Sequence, residues 1–216
     1  MRIHLYTSSL GHPVVPYLED WVARNAALHD VLFTADRARL DGGDILFLMS
    51  VGEIIRRDLR ERYRSTVVIH PSDLPRGRGW SPQVWAIVEG ASELVVTAIE
   101  AVDKVDAGPI HAQARIPIGK GDLVDEIHAK LFTTEVALID EVIARHGKAP
   151  PQPQRDEPPT YYRKRTPEDS RVDPARSIAE QFDLIRICDP DRYPAFFELH
   201  GERYAIRLAK LPKPAS

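Results

Sequence analysis

The chain has 216 residues, of which 43% are hydrophobic and 28% charged, a composition typical of a globular domain with a buried core. Its 29 Lys and Arg residues against 32 Asp and Glu give a formal net charge of −3, which disfavours a strongly basic nucleic-acid-binding protein. The single cysteine, Cys188, excludes an intrachain disulfide framework and a cysteine-rich zinc site.

Targeting and metal-binding signals are missing from the pattern. The amino-terminal segment lacks the apolar run of a signal peptide, and no stretch approaches the roughly 20 apolar residues of a membrane span. We therefore expect a soluble, cytoplasmic protein. The 8 histidines are scattered without an H-x-x-x-H pair, so we expect no metal.

Short apolar runs alternate with helical patterns over the first 120 residues. The predicted strands are residues 2–6, 30–34, 44–50 and 66–70, and the predicted helices cover residues 14–22 and 54–63. The run at 44–50 is continuously apolar, as in strands buried on both faces of a parallel sheet. Because strands that alternate with helices are joined by right-handed crossovers, the sequence predicts an α/β fold with a mostly parallel sheet.

A loop rich in Pro and Gly covers residues 71–82 and separates this half from the next elements. The later predicted elements are a helix at 83–89, strands at 94–101 and 109–117, and a long helix that begins at the N-cap Asp122 and ends near residue 146. Residues 147–159 contain five prolines, which indicates a stiff, extended connector.

The predicted domain organisation follows from that connector. Residues 1–148 form the main domain, 149–160 the proline-rich linker, and 161–216 a small appendage. The appendage contains a helix that begins at Asp173-Pro174 and a β-hairpin that turns at His200-Gly201. It is too small to hold its own core, so we expect it to pack on the main domain or on a second subunit. The apolar hairpin edge around Phe197 and Tyr204 favours a homodimer.

Residues that could carry chemistry lie in the loops after predicted strands. No G-x-G-x-x-G or phosphate-binding P-loop motif is present. Ser8 and Ser9 follow the first strand, where backbone N–H groups at a helix start can hold an anion, although an ordinary turn explains them equally well. His70 ends a predicted strand, and Asp106 lies 36 residues later in a second turn. The two side chains could form an oriented acid–base pair, or His70 could be a loop hydrogen-bonder.

Three segments resemble a known family. The run His70-Pro-Ser-Asp-Leu-Pro-Arg-Gly-Arg-Gly-Trp-Ser-Pro82 is similar to the H-x-S-x-L-P-x-x-R-G-x-x-P loop of 10-formyltetrahydrofolate-dependent formyltransferases. Val96-Thr97 followed by Val105-Asp-Ala-Gly-Pro-Ile110 resembles their V-T-x-x…x-D-x-G-x-I segment. Arg163-Lys-Arg-Thr-Pro-Glu-Asp169 resembles a run found in formyltransferases that act on nucleotide-linked amino sugars. The resemblance covers roughly residues 44–208.

The resemblance implies a Rossmann-like formyltransferase core and transfer of a formyl group from 10-formyltetrahydrofolate to an amine, best matched by a nucleotide-linked amino sugar. It implies that His70 and Asp106 assist the attack of the amine. The family's oxyanion-stabilising asparagine, two positions before the histidine, is Val68 here. Ser81, Thr66, a backbone N–H or His70 itself could replace it, or the protein binds ligand without turnover.

The resemblance also implies binding residues. Those expected to contact the folate are Val51, Gly52, Ser72, Leu74, Asp103 and Val105. Those expected to contact the remaining substrate groups are Ser8, Ser9, Arg76, Arg78, Trp80 and Ser81. Core packing for the valines, solvated loop charges for the arginines and a structural anchor for the tryptophan are the alternative interpretations.

Other activities remain open at this point. A formyltetrahydrofolate deformylase would use water in place of the amine on the same fold. A non-catalytic folate-binding module is favoured by Val68. A methionyl-tRNA acceptor is disfavoured because the tail is short and the net charge is negative.

Overall fold

The computed structural model describes residues 1–212 and contains ten strands and five α-helices in that range. The strands are β1 Arg2–Tyr6, β2 Asp30–Thr34, β3 Gly43–Met49, β4 Tyr63–His70, β5 Arg78–Gly79, β6 Glu93–Glu100, β7 Ile110–Pro117, β8 Tyr161–Tyr162, β9 Ala195–Leu199 and β10 Glu202–Ile206. The helices are α1 Val15–Asn25, α2 Arg57–Arg60, α3 Pro82–Val88, α4 Val124–Arg145 and α5 Ile178–Ile187. The predicted α/β class is confirmed.

Six strands form the central sheet in the order β2-β1-β3-β4-β6-β7. The first four are parallel, whereas β6 and β7 are antiparallel to their neighbours. His70 therefore ends β4 near the middle of the sheet, with its backbone beside Thr97 of β6. The carboxyl end of a central parallel strand is where α/β sheets usually bind ligands.

Alternate residues of the strands build two hydrophobic cores, one on each face of the sheet. In β3, Ile45 and Phe47 face the larger core, which α1 and α4 cover, while Leu46 and Leu48 face the smaller one. Since both faces are buried, the strand has the continuous apolar sequence expected of a parallel sheet.

Three predicted helix boundaries are wrong. The helix expected at 54–63 is limited to the four residues of α2. The backbone of Arg56, directly before α2, is extended, and Tyr63 begins β4. Asp122 does not cap α4; its carboxylate accepts the Gly119 N–H at 2.7 Å, and Leu123 is the N-cap.

The third wrong boundary concerns α5, which starts about one turn later than expected. Asp173 caps only a short turn, by accepting the Ala175 N–H at 2.9 Å. Ser177 is the actual N-cap, because its hydroxyl accepts the Glu180 N–H at 3.2 Å. A reciprocal bond from the Ser177 N–H to the Glu180 carboxylate completes a capping box.

The carboxyl-terminal segment packs on the main body. Its small core contains Val172, Ile185, Cys188 and Ala195, while Ile187 of α5 joins the larger core of the sheet. The buried Arg186 donates to the carbonyls of Gly119 and Asp122, both at 3.0 Å. These contacts attach α5 to the loop before α4.

The connector also lies against the main body. Gln152 exchanges two backbone hydrogen bonds with Ile110, and β8 pairs with β5 in the loop after His70.

No helix among residues 1–212 has both the length and the apolarity that crossing a bilayer requires.

Candidate active site

His70 and Asp106 meet at the end of β4. The His70 side chain is almost completely buried, and its Nε2 atom lies 3.8 Å from Asp106 Oδ2. Asp106 has a left-handed backbone, with φ of 51°, which Asp tolerates better than most residues. Its Oδ2 atom also accepts the Gly79 N–H at 2.8 Å. The fold thus brings together the two residues that the sequence pattern singled out as a possible acid–base pair.

The route of the chain to Asp106 differs from the expectation of neighbouring strand ends. Because β6 runs antiparallel to β4, its carboxyl end lies beside Val67, three residues before His70 along β4. Residues 101–106 then turn back toward His70. Arg60 holds this return segment by donating to the Ala101 carbonyl at 2.6 Å and by pairing with Asp103.

The tautomer of His70 follows from its backbone contact. Nε2 lies 2.9 Å from the Gly77 carbonyl oxygen, which can only accept a hydrogen bond, so Nε2 carries a proton. The other ring nitrogen, Nδ1, is therefore the one able to bind and release a proton. The Asp106 carboxylate faces the protonated side of the ring.

Gln154 of the connector holds the Asp106 turn from the opposite side. Its amide donates to the carbonyls of Asp106 and Gly108, both at 2.8 Å. Arg78 in turn donates to Gln154 Oε1 at 2.7 Å and is itself buried. Arg78 therefore contacts the support of Asp106 and does not line the cleft. Sequence reasoning missed Gln154, because nothing in a proline-rich stretch marks a glutamine as special.

Ser72 and Leu74 lie within the loop after His70, below its surface. The Ser72 carbonyl accepts from Thr97 Oγ1 at 2.7 Å, and Leu74 is completely buried. Neither lines the cleft described next. Their contacts hold the loop on the sheet.

A cleft of about 670 Å³ surrounds the carboxyl end of β4 and reaches both faces of the sheet. His70 and Asp106 line its middle. On the face of the smaller core lies what we call the apolar chamber, lined by Leu48, Val51, Gly52, Ile55, Val68 and Val105. On the face covered by α4 lies what we call the helix chamber, lined by His12, His128, Leu131, Phe132 and Glu135. The cleft volume is in the usual range for small-molecule sites.

Ser8 and Ser9 lie outside the cleft. Ser8 Oγ accepts the Gly52 N–H at 2.8 Å and so fixes the turn after β3. Ser9 Oγ accepts the Gly11 N–H at 3.2 Å within its own loop. Both hydroxyls support loops at the rim.

Arg76 and Asp103 also lie outside the cleft. Arg76 forms an ion pair with Glu157 at 3.0 Å, and both side chains are substantially solvent-accessible. Asp103 is paired with Arg60 and, at 3.5 Å, with Arg57. In this structure both charges are engaged by protein partners.

Trp80 and Lys164 form the mouth of the cleft. The Trp80 ring is 39% exposed, and Lys164 Nζ lies 5.1 Å from its centroid. Arg165 also lines the cleft, whereas the neighbouring Arg163 is paired with Asp169. The mouth therefore combines an accessible aromatic face with positive charge, a combination suited to an anionic ligand that carries a ring.

Val68 leaves the cleft without a side-chain hydrogen-bond donor at the position two residues before His70. Of the two hydroxyls considered as replacements, Thr66 lies outside the cleft and donates to the Arg60 carbonyl at 3.4 Å. Ser81 does line the cleft and has a left-handed backbone with φ of 48°. The structure therefore favours Ser81 over Thr66.

The helix chamber contains one buried and two half-buried titratable groups that sequence reasoning missed. Burial raises the pKa of Glu135 to about 8. Burial, with the positive charges of Arg192 and His128, lowers the pKa of His12 to about 4, and burial lowers the pKa of His128. Both histidine rings contact Phe132, with centroids at 5.8 and 4.9 Å. Helical spacing alone would have marked Glu135 as an interruption of an apolar stripe.

Within residues 1–212 no group of three or more His, Cys, Asp or Glu side chains is arranged to hold a metal ion.

The model of the formyl transferase family matches residues 12–143 of the chain. The chain belongs to this family, and the predicted formyl-transferring enzyme is confirmed at that level.

Solved structures share the fold. A methionyl-tRNA formyltransferase from Clostridium thermocellum is 22% identical, with a TM-score of 0.84 over 100% of this chain and 95% of that one. A sugar N-formyltransferase from a Shewanella species is 21% identical, with a TM-score of 0.71 over 99% of both chains. HypX from Aquifex aeolicus in complex with tetrahydrofolic acid is 21% identical, with a TM-score of 0.80 over 94% of this chain and 36% of that one.

Proposed function

We propose that the protein transfers the formyl group of 10-formyltetrahydrofolate to the primary amine of a nucleotide-linked amino sugar. The observation that carries this proposal is the approach of His70 Nε2 to Asp106 Oδ2, at 3.8 Å, in the middle of a cleft with two chambers. A reaction between two substrates needs a site with room for both and a proton-transferring group between them.

The two chambers suit the two substrates. The apolar chamber matches the aromatic pterin ring, which supports the assignment of Val51, Gly52 and Val105 to the folate. The helix chamber and the positively charged mouth, with Trp80 and Lys164, match a polar acceptor with a base and phosphates. The formyl carbon then lies between them, beside His70.

The reaction balances without an external reagent. The amine lone pair attacks the formyl carbon and forms the new C–N bond, and the bond from that carbon to N10 of the folate breaks. One proton leaves the amine nitrogen and one reaches N10. We assign its transfer to His70 Nδ1, because the Gly77 carbonyl holds the proton on Nε2. The Gly77 carbonyl orients the ring through Nε2, and Asp106 places a negative charge 3.8 Å from the same nitrogen. Ser81 donates to the oxyanion.

The experiment is an assay with 10-formyltetrahydrofolate and UDP- or dTDP-linked sugars that carry a primary amine, with and without the sugar. Formamide product with equal release of tetrahydrofolate supports the proposal. Formate release that needs no amine would instead identify a deformylase. A thermal shift with 5-formyltetrahydrofolate, the stable isomer of the donor, without turnover of any amine would identify a binding module.

A further inference from the structure

Glu135 projects from α4 into the helix chamber. It lies four residues after Leu131 and seven after His128, so all three share one face of the helix, and all three line the cleft. The Glu135 side chain is only 4% exposed. Its Oε2 atom is fully buried and has no hydrogen-bond partner among the residues that the structure describes.

A carboxyl group in this position is costly for the fold. Its neighbours on the helix face are Leu131, Phe132 and Val136, which belong to the larger core and offer no donor. Burial of a polar group without a partner destabilises a protein, and a leucine would fill the same space without that cost. An unpaired carboxyl at the wall of a ligand cleft therefore indicates that its partner belongs to the ligand.

We propose that Glu135 binds the primary amine of the acceptor and takes its proton before the amine attacks the formyl group. This inference rests on the proposed function and assigns the proton acceptor for the first step. The proton passes from the ammonium nitrogen to the Glu135 carboxylate, which becomes a carboxylic acid. The nitrogen lone pair that this frees then forms the C–N bond at the formyl carbon.

The charge balance of the helix chamber agrees with this role. With its pKa raised to about 8 by burial, Glu135 is mostly the neutral acid at pH 7 before the amine binds. An ammonium group that binds beside Glu135 favours the carboxylate form, so Glu135 releases its proton to solvent. Transfer of a proton within the ion pair of ammonium and Glu135 carboxylate gives a neutral amine and a neutral carboxylic acid. The number of protons does not change, and the reactive amine forms without a buried net charge.

The test compares two nucleophiles in wild type and Glu135→Gln, with 10-formyltetrahydrofolate as donor. One is dTDP-linked 4-amino-4,6-dideoxyglucose, whose amine is largely an ammonium at neutral pH; the other is hydroxylamine, which is already neutral. Glutamine keeps the size of the side chain but cannot accept a proton. We expect kcat/KM for the sugar at pH 7 to fall by about 100-fold or more, and for hydroxylamine to change by less than about threefold. We also expect the loss for the sugar to shrink as pH rises.

The outcomes separate this proposal from the proposed function. If wild type forms no formamide with either amine, both fail. If wild type transfers formyl and Glu135→Gln transfers it equally well to the sugar, or loses both nucleophiles equally, only the role of Glu135 is overturned. A thermal shift with 5-formyltetrahydrofolate reports whether the variant is folded. Glu135→Leu is the second variant: it should fold at least as well, and transfer to the sugar at the wild-type rate would overturn the proposal. Glu141→Gln, on the exposed side of the same helix, is the matched control.

Discussion

His70 and Asp106 are 36 positions apart, yet His70 Nε2 lies 3.8 Å from Asp106 Oδ2. The same nitrogen lies 2.9 Å from the Gly77 carbonyl, and the same carboxylate oxygen accepts the Gly79 N–H at 2.8 Å. One short loop thus orients both side chains through its backbone. Because these partners are peptide groups, the pair is held before any substrate binds, which is the condition for efficient proton transfer.

Replacement of either member of the pair should stop formyl transfer and leave the donor site intact. We expect His70→Asn and Asp106→Ala each to lower kcat by about 100- to 10,000-fold, the usual contribution of a positioned acid–base group. Formamide formation from 10-formyltetrahydrofolate and an amino sugar measures this loss. A thermal shift with 5-formyltetrahydrofolate is the control for folding, and unchanged turnover in both variants would contradict the catalytic assignment.

Gly108 should tolerate no side chain. A Cβ atom there would lie 1.7 Å from the Glu100 carbonyl oxygen, which belongs to the backbone and cannot turn away. We expect Gly108→Ala to lower the free energy of unfolding by about 2 kcal/mol or more and to reduce kcat, because the Asp106 turn must shift. Urea denaturation measures the first effect. The control is Gly121→Ala, where no heavy atom lies within 4 Å and stability should change little; equal stabilities of the two variants would refute the steric argument.

Ser81 should matter more than Thr66 for the oxyanion. We expect Ser81→Ala to lower kcat by about 100-fold, the usual loss when one oxyanion donor is removed. Thr66→Val is the control and should leave kcat unchanged, because Thr66 lies outside the cleft. Introduction of the family's donor by Val68→Asn should recover part of the rate in the Ser81→Ala background. A Ser81→Ala protein with normal kcat would show that a backbone N–H or His70 serves instead.

Stability should fall as pH rises because of Glu135. Its pKa is about 8 in the folded protein against the usual 4.5 of a glutamate side chain, so the folded state binds more protons between these values. The contribution of the neutral acid is complete below pH 4.5 and is lost as pH rises through 8, at up to about 1.4 kcal/mol per pH unit. Urea midpoints from pH 5 to 9 should show this slope in wild type and a shallower one in Glu135→Leu. Parallel curves for the two proteins would mean that Glu135 ionises normally.

The hairpin of β9 and β10 should pair with a second copy of the chain. The Tyr204 ring stacks on the Phe197 ring with centroids 5.3 Å apart, and Tyr204 remains 45% exposed. Leu199 nearby is also exposed. We expect sedimentation at micromolar concentration to give a dimer, and Tyr204→Glu to shift it to a monomer. Leu28→Glu, which changes a more exposed apolar residue shortly after α1, should leave the dimer intact. A monomeric wild-type protein would refute this prediction.

Local patterns in the sequence were sufficient for most of the fold. The apolar runs at β1, β2 and β3 predicted those strands. In β3 the run is continuous because this strand is buried on both faces. Helix starts were predicted less well, since Asp122 and Asp173 each have the chemistry of a cap but bond to nearby turns instead. A capping residue reveals that a turn begins, and only packing decides whether a helix follows it.

For the site, the sequence by itself singled out His70 and Asp106 as the candidate side chains for proton transfer. Tertiary structure alone decided how they meet, because β6 runs antiparallel to β4 and residues 101–106 must turn back to reach His70. It also decided that Gln154 supports Asp106 and that Glu135 faces the cleft. Residue type and spacing record local geometry, whereas burial and partners across the chain depend on how distant segments pack.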